Sequence, residues 1–154
     1  MRASRLVPLV SAAVALVLAI CAGCPTRGSK LIANESSIRT ALQDINNIMS
    51  GYVSLAEGRD IEITRNSILV PVAVNKPDAT ERDLELIGER VCQHVMDTLT
   101  GLDIQPQTDG VTIEIHLLPP GDAAATDTAA APAELGTTRY DCTADEITFS
   151  RASS

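Results

Sequence analysis

DATERDLELIGERVCQHVMDTLTGLDIQPQTDGVTIEIHLL, residues 78–118, is the stretch from which the architecture can be read. At its head, Asp78 and Glu81 stand at the reciprocal spacing of a capping box that starts a helix. Leu84, Ile87, Val91, Val95, Thr98 and Leu99 then recur at three- and four-residue steps and share one helical face. Gly101 is a natural stop, and Leu102 with Ile104 suggests a short strand. Asp109-Gly110 turns the chain into residues 111–118. There Val111, Ile113, Ile115 and Leu117 alternate with Thr112, Glu114 and His116, the period of a half-buried strand. Pro119-Pro120-Gly121 ends it. A helix and a strand that each carry one apolar face must bury them, and the stable solution is helix layered on sheet.

Upstream, residues 60–64 alternate around Ile61 and Ile63, residues 65–67 suit a turn, and residues 68–74 form a second strand, apolar on both sides. Pro71 cannot donate to a ladder, so this strand is expected either to face an unpaired edge or to carry a bulge. Further upstream, Ile38, Ala41, Leu42, Ile45, Ile48, Met49 and Tyr52 draw one apolar stripe. They predict a continuous helix, capped by Asn34 or Ser36, ended by Gly51 or Gly58 and packed on the sheet. Downstream, residues 122–138 are rich in Ala, Thr, Asp and Pro and are expected to form a flexible loop. Tyr140, Cys142, Ile147 and Phe149 mark a last strand or hairpin. The predicted fold class is α+β, a small two-layer sandwich in the order helix, strand, strand, helix, strand, strand. Over residues 60–118, the hairpin, the long helix and Thr100-Gly101-Leu102 leading into an alternating strand resemble the alkaline-shock protein family. That likeness implies a fold pattern and no activity.

The first residues carry a different message. Arg2 and Arg5 precede residues 6–20, an uncharged run of about 15 residues, or ~22 Å as a helix. That is short of the ~30 Å a spanning helix must cross, and it suits the apolar core of an export signal. Ala22-Gly23-Cys24 follows and resembles the lipobox of bacterial lipoproteins, although Cys21 stands where that family usually has Leu. The resemblance implies cleavage before Cys24, diacylglycerol on its thiol, and an envelope location outside the cytoplasm. Cys21 is the poorer acceptor because branched Ile20 precedes it. Ordinary signal cleavage, or an uncleaved leader serving as a single-pass anchor, stays open. The expected organisation is a signal peptide at 1–23, a tether at 24–33 and one domain at 34–150.

Two cysteines then remain in the mature chain, Cys92 and Cys142, and an oxidising compartment makes their disulfide the expectation. Loss of Arg2 and Arg5 leaves ten basic residues against twenty acidic ones, a net charge of −10. Such a surface repels phosphate backbones, so nucleic acid is not an expected partner. Of the two histidines, His94 lies in Cys92-Gln93-His94, which lacks the paired spacing of a zinc site. No nucleophile elbow or phosphate loop is present, and the Glu81, Glu85, Glu89 series lies along a helix face. No catalytic residue, metal or cofactor is therefore expected. The expected function is that of a lipid-anchored, non-enzymatic interaction or accessory module with an envelope protein partner. Its candidate surfaces are the edge near Pro71 and the acidic loop. Binding of a small apolar ligand between the layers is the alternative.

Overall fold

The computed structural model describes residues 29–121 and 134–152. In chain order the elements are α1 (Ser29–Ala33), α2 (Glu35–Leu42), a 3-10 turn (Gln43–Asn47), β1 (Val53–Leu55), β2 (Glu62–Ile63), β3 (Ser67–Val74), α3 (Glu81–Gly101), α4 (Pro106–Asp109), β4 (Thr112–Leu118), β5 (Gly136–Asp141) and β6 (Glu146–Arg151). The strands make one mixed sheet in the order β1-β3-β4-β5-β6, with β2 also on β3. β3 and β4 are parallel, and the other pairs are antiparallel. Parallel neighbours need a crossover, and α3 supplies it.

The helices cover one face. Ile68, Val70, Val72 and Val74 of β3 and Ile113, Ile115 and Leu117 of β4 join Leu84, Ile87, Val91, Val95 and Leu99 of α3 in one buried core. Ile38, Leu42 and Ile45 enter from α2 and the 3-10 turn. The α+β two-layer architecture is therefore present, with six strands where the sequence pattern suggested four.

Pro71 explains why the line outside β3 is short and broken. β3 is internal, between β4 and an outer line formed by β1 and then β2. Ala56 N–H donates to Pro71 O at 3.0 Å, so the polar side of Pro71 faces that outer line. A residue with an N–H would bond back to Ala56 O. Proline cannot, and Ala56 O accepts from Arg59 N–H at 3.3 Å instead. The chain turns away there and rejoins β3 at Glu62 opposite Leu69. The proline sits at the gap.

Several expectations are corrected. The tether was expected to reach residue 33, yet α1 lies in residues 29–33 with Leu31 fully buried. Lys30 ties that helix to Asp103 O at 3.0 Å and to the Asp109 carboxylate at 3.1 Å. The first long helix ends at Leu42 and tightens into a 3-10 turn, because Asp44, Asn46 and Asn47 compete for backbone hydrogen bonds. Leu102 and Ile104 form no strand. Asp103, at φ +60°, reverses the chain, and Ile104 and Asp103 N–H donate to Leu99 and Thr100 O, the Schellman closure of a helix. Residues 136–138, expected in a loop, begin β5. Residues 122–133 of that loop lie outside the described residues.

The capping box is shifted by two residues. Thr80 is the cap; Asp83 N–H donates to its side chain, and the Asp83 carboxylate accepts from Thr80 N–H. Hydrogen bonds from Lys76 and Thr80 hold the Asp83 carboxyl well below its ordinary value of 3.8. A depressed carboxylate stabilises the fold above the unfolded value and loses that contribution as pH falls through the folded one. The first turn of α3 is therefore expected to fray only below about pH 4, as seen by amide exchange. Thr80→Ala should cost about 1 kcal/mol in denaturant unfolding. An unchanged midpoint would show that the cap is not used.

Candidate functional site

The uncovered face of the sheet carries the polar residues that alternate with the core. His116 of β4 stands beside Pro71 on one side and Thr137 on the other. Its Nδ1 lies 3.3 Å from Glu134, and its Nε2 lies 3.8 Å from Glu114. Arg139 Nε is 3.7 Å from the other oxygen of Glu114. Thr137 Oγ1 donates to the same Glu134 oxygen that faces His116. The sequence pattern placed Glu114 and His116 on one face. Glu134, Thr137 and Arg139 were not legible from it, because they arrive through the β4–β5 register.

This arrangement orders charge but does not activate a nucleophile. An activating histidine must take the proton from a hydroxyl and in turn be oriented by an acid. Here Glu134 stands between the Thr137 hydroxyl and the imidazole, and the hydroxyl proton goes to the carboxylate. His94 is on α3, across the sheet from His116, and its Nε2 is buried with no hydrogen-bond partner among the described residues. Among the described residues, no three His, Cys, Asp or Glu side chains converge to hold a metal.

Two shallow recesses flank this cluster. One, of about 150 Å³, is lined in part by Ala56, Arg59, Ala73 and Leu118. The other, of about 180 Å³, lies over Leu69 and Pro71 between Arg59, Glu62 and His116. Both are open and small beside the ~300–1,000 Å³ of a typical ligand pocket. The space between helices and sheet is filled by the core, so an apolar ligand between the layers would have to displace it.

Cys92 and Cys142, the expected disulfide pair, are separate thiols in this structure. Cys92 is buried, and loss of solvent pushes its thiol up to about 12. Both thiols lie close enough to Tyr140 to help raise its hydroxyl to about 12, although burial and the Asp145 hydrogen bond contribute more. Cys24 lies outside the described residues.

Compared with known protein families, characterised proteins and solved structures, the chain matches none. Among the described residues no helix is long and apolar enough to cross a membrane. The surfaces themselves must carry the functional reading. Of the two candidate surfaces, the edge near Pro71 is occupied by β1 and β2. Among the described residues the sheet ends on β1 and β2 at that side and on β6 at the other.

Proposed function

We propose that this chain is an exported lipoprotein, held to the cell envelope by lipid on Cys24, whose domain acts as a non-enzymatic interaction module. The observation that carries the reading is Ala22-Gly23-Cys24 at the end of an uncharged leader. The position of the fold agrees with it. Among the described residues the first helix starts at Ser29, five residues beyond Cys24, so an anchor there would hold the domain close to the membrane surface. Five extended residues span about 18 Å at most. The net charge of −10 in the mature chain gives no electrostatic attraction to anionic lipid heads, so attachment rests on the acyl chains.

Export would also place Cys92 and Cys142 in an oxidising compartment. Joining them would staple α3 to the turn after β5, and we include that bond in the proposal. An unreduced sample should then weigh two hydrogens less than a reduced one.

Surface digestion tests the location. In intact cells stripped of outer layers, an added protease should destroy the domain while a cytoplasmic marker survives. A domain protected until the membrane is lysed would contradict export.

A further inference from the structure

The two sides of the sheet end differently. On the β1/β2 side the outer line is two short pieces split by a turn opposite Pro71, which is how native sheets blunt an edge. On the other side, β6 runs unbroken from Glu146 to Arg151 with no Pro and no Lys. No strand covers it among the described residues. Ala152 N–H donates to Leu135 O at 3.3 Å. Alternation along an antiparallel ladder then turns the polar groups of Glu146, Thr148 and Ser150 toward β5 and those of Ile147, Phe149 and Arg151 outward. Ile147 and Phe149 are half-buried and pack against the core on the helix side.

The helix wall of this edge is acidic. Arg151 at the end of β6 pairs with Glu81 at 3.2 Å. Glu85 and Glu89 follow Glu81 at four-residue steps, so the row that begins at β6 continues along that side of α3. Both are exposed, and neither makes a salt bridge among the described residues. From these observations we infer that the β6 edge receives an extended segment of a partner protein, alternately apolar and basic. Its backbone would pair with Ile147, Phe149 and Arg151; its basic side chains, all on the face toward α3, would lay their alkyl stems beside Ile147 and Phe149 and reach Glu85 and Glu89 with their charges, while the apolar ones take the opposite face.

The inference rests on the interaction-module reading proposed above. A second copy fits this edge poorly. Antiparallel pairing of two β6 strands would set the exposed Glu85 and Glu89 rows of both copies against each other, like charges facing like. Parallel pairing of β6 with itself staggers its hydrogen bonds and closes no two-fold dimer.

The test uses the full lipidated chain in nanodiscs and a capped seven-residue peptide of alternating Val and Lys. Peptide binding should slow amide exchange at Ile147, Phe149 and Arg151. N-methylation of alternate peptide amides should weaken binding by about tenfold or more, the equivalent of 1.4 kcal/mol. The Glu85→Lys/Glu89→Lys variant, altered only at exposed positions, should lose a similar factor. No binding, equal binding of the methylated peptide, or protection at other residues would overturn the proposal. Protection of the same amides without peptide, with a doubled particle mass, would assign the edge to a second copy instead. Intact mass of the same sample reports the anchor separately. An unlipidated chain that still binds the peptide at β6 would refute the anchor and leave the docking edge standing.

Discussion

Fatty-acid label is expected to disappear completely from a Cys24→Ser chain and to persist in Cys21→Ser. In the resembled lipoprotein family the acyl group is joined to the thiol itself, and a hydroxyl one residue after Gly23 does not replace it. The effect is large because attachment depends on chain length. Each buried methylene contributes about 0.8 kcal/mol, one myristoyl chain alone holds only marginally, and a second makes attachment stable. Cells fed an alkyne fatty acid and probed after gel separation report it directly. Equal label in both variants would move the acceptor away from Cys24. A wild-type chain without label would favour ordinary cleavage or a retained leader.

Gly88→Ala should destabilise the domain by about 3 kcal/mol, against the 5–15 kcal/mol that holds a typical domain together. Elsewhere in an exposed helix the same change would stabilise by up to about 1 kcal/mol. Here α3 lies directly on β5. A Cβ on Gly88 would fall 1.8 Å from Thr138 Oγ1 and 2.8 Å from Thr138 Cβ. Both Gly88 and Thr138 are buried, so the helix must lift or the strand must shift, and either opens the core around Val91 and Cys92. Thr138→Ala removes the closest atom and should return part of the loss in the double variant, a coupling that a remote effect would not show. Urea unfolding of the four chains measures it. A neutral or stabilising Gly88→Ala would mean that α3 does not approach β5 this closely.

Much of the fold was legible because residues 78–118 keep a helical period and then a strand period without conflict. Residues 68–74 were also legible as a strand, apolar on both sides, but Pro71 left its place open between an unpaired edge and a bulged strand. The pairing order was not legible. Nothing local tells Thr137 to lie opposite His116, or leaves β6 rather than β3 at an edge. Those relations come from long-range register, which also brings Glu134 and Arg139 into the His116 cluster. The apolar stripe of residues 38–52 overstated the first helix, since Asp44, Asn46 and Asn47 outweigh its period. Gly88 passed as an ordinary helix residue, because its purpose is the closeness of a strand some fifty residues later in the chain. The site is less legible than the fold for the same reason. Its chemistry is a strand edge and a carboxylate row, and neither has a sequence motif.

Intact mass of the chain extracted from membranes with detergent reads cleavage and acylation in one spectrum. The expected polypeptide begins at Cys24 and carries the added mass of diacylglycerol, with or without a further acyl chain on its amino group. A full-length polypeptide with residues 1–23 still attached and no acyl mass would contradict the lipid anchor.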